Sequence, residues 1–204
     1  MPGLTIRGKG IVGLVVVALL GAVAGCGRAP LEQPPDMAKA VPWAPAPATS
    51  DKVRLEEALK GRMLPPVEVA DLSDRLLADG NSALNDEQTM ARLEILLLKA
   101  MKVEDKTSRP VLWRNLGIIH YHQRKYTRAR QELQASNELN PRDARTHFYL
   151  ARLFVHQGAI YEGQGKKSKS KQQFKRAAIE MEQARKLAPN NPLYRQDLRQ
   201  ILQP

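Results

Sequence analysis

Residues 110–141 decide the fold, and they read PVLWRNLGIIHYHQRKYTRARQELQASNELNP. Large apolar residues recur in this stretch at helical spacing, with two small residues, Gly117 and Ala129, among them. Two antiparallel helices approach each other closely where small residues lie at their crossing. Pro141 lacks the N–H that a helix interior needs, so a second helix ends before it. The stretch therefore predicts a helical hairpin.

A second unit starts at Ala144 and repeats the same order of residue types, with Leu150-Ala151 in the place of Leu116-Gly117. The other matched positions are Phe154, Phe174, Ala177, Met181, Ala184, Leu187 and Pro189. The interval from Pro141 to Pro189 is 48 residues, roughly 14 more than a repeat period of about 34 residues. We assign the excess to a basic insert, residues 159–173, in the turn between the two helices. The alternative is that the same residues lengthen both helices.

Both units resemble the tetratricopeptide repeat, a pair of antiparallel helices that stacks on its neighbours. The matching residues of the first unit are Trp113, Leu116, Gly117, Tyr121, Ala129, Leu133 and Pro141. The resemblance implies an all-α solenoid with repeats at 110–143 and 144–191. Solenoids need caps over their exposed ends, and Asn191-Pro192 is typical of a helix start. We expect a capping helix at 192–204.

Residues 51–109 are predicted to be a helical region that contains a degenerate repeat. Good helix formers dominate it, and no stretch alternates apolar and polar residues as a strand would. Helices are expected near residues 50–59, near 69–78, and from Asn85-Asp86 to about Lys102.

The N-terminus carries two cations, Arg7 and Lys9, before an apolar run from residue 11 to 24. The run is shorter than the roughly 20 residues that span a bilayer, and it has the length of a secretory signal. The sequence Val-Ala-Gly-Cys at 23–26 resembles the bacterial lipobox. The resemblance implies removal of the signal peptide, residues 1–25, and attachment of diacylglycerol and an N-acyl chain to Cys26. The alternative is an ordinary signal peptide with an incidental cysteine.

Residues 26–50 contain six prolines and many alanines, which favours an extended polyproline II tether. A disordered leader without a spacing role is equally compatible. In the lipoprotein family, an Asp after the cysteine retains the protein in the inner membrane, and here that residue is Gly27. The resemblance therefore implies a lipid-anchored protein of the bacterial envelope, in a diderm host at the outer membrane and facing the periplasm.

In the tetratricopeptide family the first helix of each repeat lines a groove for an extended peptide or a partner's helix. The positions that match this groove are Arg114, Ile118, Tyr121, His122, Arg145, Phe148, Arg152 and His156. Arginines beside aromatic rings suit an acidic segment or a C-terminal carboxylate, because a guanidinium binds carboxylates bidentately. The alternative is that these are solvated helix faces.

The positive charge lies in the repeats, since residues 1–50, 51–100 and 101–204 carry net charges of +2, −3 and +12. It is concentrated around the basic insert at Lys166, Lys167, Lys169, Lys171, Lys175 and Arg176. Such a patch attracts polyanions such as anionic lipids, envelope glycans or acidic proteins. No nucleic-acid motif accompanies it, and a solubilising loop is the alternative.

The sequence contains no catalytic motif, and no enzymatic activity is expected. No cysteine is available as a ligand, and no Asp or Glu is expected beside the four histidines in the groove. We therefore interpret the histidines as surface residues and expect neither a metal site nor a cofactor. The chain is predicted to be a membrane-anchored adaptor or assembly factor, resembling envelope-assembly lipoproteins with tetratricopeptide repeats. It would bind another envelope protein. The alternative is a binder of an envelope polymer or anionic lipid through the basic insert, with the repeats as scaffold.

Overall fold

A computed structural model describes residues 50–61 and 64–195. It contains α1 (Asp51–Leu59), α2 (Pro66–Leu76), α3 (Glu87–Ala100), α4 (Arg109–His122), α5 (Tyr126–Leu139), α6 (Ala144–Gly163) and α7 (Lys167–Leu187). Two short 3-10 helices lie at Ser82–Asn85 and Pro192–Arg195. Within these described ranges there are no strands. Helical hairpins stacked in chain order are compatible with a tetratricopeptide-type fold. The predicted signal peptide, Cys26 and almost all of the tether lie outside the described residues.

The three helices upstream of residue 109 begin and end close to the predicted positions. Ser50 caps α1 by accepting a hydrogen bond from the Val53 amide, and Asp86 caps α3 through the amides of Gln88 and Thr89. Side-chain hydrogen bonds from Thr89 and Lys52 hold the pKa of Asp86 well below its ordinary value. Helices α1, α2 and α3 contact one another, and α2 and α3 both contact α4. The degenerate region is therefore continuous with the repeats.

The hairpin of α4 and α5 closes around Gly117. A Cβ atom on Gly117 would lie 2.6 Å from Cγ of Leu133 and 3.2 Å from the carbonyl oxygen of Ala129. Both Ala129 and Leu133 are completely buried. The glycine therefore lets the two helices approach each other, as the order of residue types in the sequence predicts.

The basic insert is mostly helical rather than a loop, which corrects its assignment to the turn. Helices α6 and α7 have 20 and 21 residues, whereas α4 and α5 have 14 each. The extra residues extend both helices by about two turns, and only residues 164–166 connect them. The physical reason is that Gly158 packs against the ring of Phe174, to which its Cβ atom would lie 3.1 Å away. The contact between this glycine and the phenylalanine ring stabilises the added turns.

The turns of the two hairpins have the same geometry. In the first, Arg124 has a positive φ of 61° and the Lys125 amide donates to the His120 carbonyl at 2.8 Å. In the second, Gly165 has a φ of 70° and the Lys166 amide donates to the Tyr161 carbonyl, also at 2.8 Å. The insertion therefore moves an unchanged turn outward along the hairpin.

The chain ends, as far as it is described, at the second 3-10 helix. Tyr194 of this helix is buried and its ring centroid lies 4.9 Å from that of Phe148. The first residues of the predicted capping helix thus cover the last hairpin, and residues 196–204 lie outside the described residues.

Candidate peptide-binding groove

The predicted groove residues lie on α4 and α6, which contact each other side by side. Three of the eight are buried in the structure, which corrects their assignment to the groove surface. Ile118 has no exposed surface at all and belongs to the core between the helices. Arg114 is 7% exposed and Phe148 is 3% exposed. The positions that remain open to a ligand are fewer than the sequence predicts.

Arg114 is buried because it binds two carboxylates from neighbouring helices. Its guanidinium pairs with Asp74 of α2 and with Asp143, and its Nε donates to Oδ1 of Asn115 at 3.1 Å. Asp143 also caps α6 by accepting from the Arg145 and Thr146 amides. Burial lowers the pKa of Arg114, but the two carboxylates outweigh burial and raise it. Arg114 therefore ties three helices together, and its charge is compensated.

Phe148 is buried because the second 3-10 helix covers it through Tyr194. Arg114 and Phe148 are 34 residues apart and occupy equivalent positions of their repeats. Each is covered by the start of the element that follows its own hairpin, at Asp143 for Arg114 and at Tyr194 for Phe148. Stacking of successive repeats therefore removes this position from the groove.

The surface that remains is centred on Arg152, whose guanidinium lies over aromatic rings. Its Cζ is 4.8 Å from the ring centroid of Tyr121, 5.5 Å from that of Phe148 and 5.6 Å from that of Tyr149. The rings of Tyr121 and Tyr149 meet edge to face with centroids 5.4 Å apart. Cation–π contacts with these rings hold the guanidinium in place.

Tyr149 is a residue that the sequence analysis missed. The repeat period places it at the position of Asn115, which is buried and donates to Ser73 and Asp74. Its hydroxyl lies 3.3 Å from Nε2 of His122 and so joins α6 to α4. The period could have located it, although its pairing across the two helices has no signature in the sequence.

Two arginines of this surface retain unused hydrogen-bond donors. Nε and Nη2 of Arg145 and Nε of Arg152 are buried and have no hydrogen-bond partner within the described residues. The only carboxylate paired with Arg145 in the described part of the chain is Asp74, with an Nη1–Oδ1 distance of 3.9 Å. A guanidinium presents its N–H groups in a planar fork that matches a carboxylate. We call Tyr121, His122, Arg145, Tyr149 and Arg152 the inner cluster.

The histidine and the two tyrosines of the inner cluster are held in their uncharged forms. Burial, together with Arg152 and Arg145, lowers the pKa of His122 to about 4. Burial raises the pKa of Tyr149 to about 12 and raises that of Tyr121 as well. At neutral pH the charge of the inner cluster therefore comes from its two arginines.

A polar cavity of about 570 Å³ adjoins the inner cluster at His122. Its other lining residues are Leu84, Asn85, Glu87, Met90, Gln123 and Arg124. It lies between the start of α3 and the end of α4, so it extends the space beside the inner cluster towards the upstream helices.

His156, the last predicted groove residue, contacts α5 instead of the inner cluster. Its ring centroid is 3.9 Å from that of Tyr126, and both rings line a separate cavity of about 240 Å³. Burial and the neighbouring Arg124 lower the pKa of His156.

The other two histidines are buried, which corrects their interpretation as surface residues. Nδ1 of His120 lies 2.5 Å from Oε2 of Glu132, and its Nε2 lies 3.1 Å from Oε1 of Glu94. Nδ1 of His147 lies 2.6 Å from Oε2 of Glu180. Burial lowers the pKa of His120, but its two carboxylates outweigh burial and raise it. The hydrogen bond with Glu180 raises the pKa of His147, against an opposing effect of burial. Each histidine joins the two helices of its own hairpin.

The cations of the basic insert are all exposed, and we call residues 159–176 the basic extension. Lys166 and Lys169 lie about 6 Å from the ring of Tyr161, and Arg176 lies 6.0 Å from that of Phe154. No ion pair connects the six cations to a carboxylate in the part of the chain that the structure describes. The extension therefore presents uncompensated positive charge.

Within residues 50–61 and 64–195, no group of three or more His, Cys, Asp or Glu side chains is placed to bind a metal ion. None of the helices in the same ranges is both long and apolar enough to cross a membrane.

Comparison with known proteins gives one informative similarity. No family model matches the chain. Over 113 residues the chain is 29% identical to the Photosystem I assembly protein Ycf3 of Rippkaea orientalis (strain PCC 8801 / RF-1). The match covers 55% of this chain and 65% of that relative, so the chain spans less than two thirds of the relative's length. The chain is thus similar to a protein that is named for a role in assembly.

Proposed function

We propose that the chain is an assembly factor that binds an acidic segment of another protein at the inner cluster. The observation that carries this proposal is the set of buried guanidinium donors on Arg145 and Arg152 without acceptors. Buried hydrogen-bond donors are normally paired, because a buried donor without an acceptor costs about 1–3 kcal/mol. A carboxylate of the partner would supply the missing acceptors.

The aromatic part of the inner cluster supports binding of a side chain or chain terminus next to that carboxylate. Tyr121 offers a ring beside the arginines, the buried Tyr149 supports that ring edge to face, and the cavity at His122 offers space for the adjacent residues. The similarity to an assembly protein supports a role in bringing other proteins together, and the proposed activity is not enzymatic.

A photo-crosslinking experiment tests the proposal. A crosslinking amino acid replaces Tyr121 in the full chain, and proteins captured in native membranes are identified by mass spectrometry. We expect one captured protein that is lost in the double variant Arg145→Gln, Arg152→Gln. The matched control is Arg128→Gln, Arg142→Gln, which removes two exposed arginines outside the inner cluster. Equal capture by both double variants would place the partner elsewhere.

A peptide titration measures the chemistry directly. An acidic peptide with a free C-terminal carboxylate is compared with its C-terminal amide and with its glutamine analogue. We expect the acidic peptide to bind tightest and the double variant Arg145→Gln, Arg152→Gln to lose this preference. A preference that survives in the double variant contradicts a role for the two guanidinium groups.

We further propose that the chain is anchored to a bacterial envelope membrane, in a diderm host the outer membrane, by lipid on Cys26. The Val-Ala-Gly-Cys sequence at 23–26 supports this part of the proposal. Incorporation of labelled palmitate into the wild-type chain, and its loss in Cys26→Ser, is the expected result. Labelling that persists in the variant would contradict it.

A further inference from the structure

The basic extension comprises the end of α6, the turn at residues 164–166 and the first ten residues of α7. Its six cations, Lys166 to Arg176, stand among 18 residues that contain one acidic side chain, Glu162. Because residues 159–163 and 167–176 are helical, the cations are held on a rigid projection instead of a loop. A projection of this kind keeps its charge together at one end of the hairpin.

The positive charge of the basic extension does not serve the helix that carries it. Helix α7 begins at Lys167, has no acidic residue in its first turn and has no side-chain cap. A helix N-terminus carries a partial positive charge, so cations in the first turn oppose it. Stability would be better served by Asp or Glu at these positions. The cations at the start of α7 therefore do not stabilise the helix, and we interpret their charge as a feature for binding a partner.

The kind of cation and its neighbours indicate the kind of partner. Five of the six cations are lysines, which attract negative charge without the fixed geometry of an arginine fork. Tyr161 lies beneath two of them, and Ile160 beside it is 42% exposed. Lysines combined with an amphipathic ring and an exposed aliphatic side chain suit a surface that is anionic outside and apolar beneath.

We propose that the basic extension docks on a bilayer that contains anionic lipid. The lysines contact the head groups, and Tyr161 and Ile160 lie at the level of the acyl boundary. This contact is separate from the inner cluster, so the protein holds its partner with one part of α6 and the membrane surface with the other. It also does not require lipid on Cys26.

Vesicle binding tests this inference with a chain that cannot carry a lipid anchor. The fragment of residues 46–204 contains every described helix, and these helices form one compact unit. This fragment is sedimented with vesicles of phosphatidylglycerol and phosphatidylcholine in equal parts, and with phosphatidylcholine alone. We expect binding to the mixed vesicles only, weakening as salt is raised. The full chain, reconstituted in the same vesicles, is assayed in parallel for protection of residues 159–176 from protease.

Two matched triple variants separate a specific surface from net charge. The variant Lys167→Glu, Lys171→Glu, Lys175→Glu reverses three lysines of the basic extension, and Lys99→Glu, Lys102→Glu, Lys106→Glu reverses three exposed lysines elsewhere. We expect the first to lose about a hundredfold in affinity and the second to lose much less, because each cation near an anionic surface contributes roughly tenfold or less. Circular dichroism checks that both remain helical.

Three outcomes overturn the inference. Equal loss in the two triple variants would mean that net charge alone is responsible. Absence of binding to phosphatidylglycerol vesicles would exclude a lipid partner. Binding to polyglutamate without binding to the vesicles would mean that the basic extension recognises an acidic protein instead. Arg145→Gln, Arg152→Gln should bind vesicles as the wild type does, so failure of this inference is distinct from failure of the proposed function.

Discussion

The hairpin of α4 and α5 and the hairpin of α6 and α7 have similar helix packing and the same turn geometry, but their charged residues differ in what they contact. In α4 and α5, Arg114 and His120 are buried and each binds two carboxylates. In the basic extension of α6 and α7, six cations are exposed and none is paired with a carboxylate in the described ranges. Compensated charge in the first hairpin stabilises the stack, whereas uncompensated charge in the second is available to partners. Cationic side chains therefore stabilise the fold in the first hairpin and are available to partners in the second.

The largest effect is expected at Arg114. The side chain of Asp143 is mostly buried, and Arg114→Met removes the cation that pairs with it. Breaking a buried ion pair in this way lowers the free energy of unfolding by about 3–5 kcal/mol. Arg145→Met is the control and should cost less than about 1 kcal/mol, because its nearest carboxylate is 3.9 Å away. Urea denaturation measures both. Similar losses in the two variants would remove the distinction between structural and ligand-binding arginines.

A pH-dependent effect of about 2 kcal/mol is expected at His120, which makes charge-assisted hydrogen bonds with two carboxylates. Its pKa is raised in the folded state, so its contribution is full below the unfolded value of about 6.5 and is lost as pH rises through the folded value. The stability difference between wild type and His120→Gln should therefore shrink on raising the pH. Thermal unfolding across this range measures it. His147→Gln should behave alike with a smaller amplitude, since His147 binds one carboxylate.

His122 provides the opposite case. Its folded pKa of about 4 lies below the unfolded value of about 6.5, so protons bind the unfolded chain preferentially between these values. Wild type should lose stability at this site as pH falls through that window, and His122→Gln should lack this loss. A His122→Gln profile parallel to that of His120→Gln would contradict the assignment.

A smaller contrast is expected between the two helix-contact glycines. Gly117→Ala raises the helix propensity of α4, but the new Cβ would lie 2.6 Å from Leu133 Cγ and close to the backbone of α5. We therefore expect the free energy of unfolding to fall by about 1 kcal/mol. Gly158→Ala meets only the half-buried ring of Phe174 at 3.1 Å, which has room to tilt, and should change stability by less than about 0.5 kcal/mol. Chemical denaturation of the pair decides the order. A larger loss at Gly158 would show that the extension is as tightly packed as the core.

The smallest effect is expected at the start of α7. Lys167→Glu places an acidic residue in the first turn and should raise stability by about 0.5 kcal/mol. Lys186→Glu, in the last turn of the same helix, reverses a favourable cation and should lower stability by a similar amount. Differential scanning calorimetry at low salt resolves the two. A loss in Lys167→Glu would mean that this lysine serves the fold.

Sequence analysis predicted the hairpin of α4 and α5, because Gly117, Ala129 and Pro141 each impose a local constraint that packing then satisfies. It assigned the basic insert to a turn, because each repeat contacts only its neighbours and insertions usually fall in loops. The tripeptides Gln-Arg-Lys at 123–125 and Gln-Gly-Lys at 164–166 mark the true turns, and their likeness was the available signal.

The groove was predicted less well than the fold. Arg114 was expected to be free, but one of its carboxylates, Asp74, is 40 residues upstream in the degenerate region. A single repeat carries no information about such partners, since they come from the neighbour on which it stacks. The inner cluster itself depends on side chains from both α4 and α6, and only their assembly shows which donors remain unused.

The contact between Gly158 and Phe174 has a consequence for how this hairpin can change length. Gly158 follows Ala151 by seven residues, and Phe174 precedes Met181 by seven. Seven residues fall only about 20° short of two full helical turns. Adding or removing seven residues from each helix therefore keeps every inward face in phase, and it changes the reach of the hairpin by about 10 Å. Insertions far from a whole number of turns would rotate the lysines relative to the core, so the length of the basic extension can change only in discrete steps.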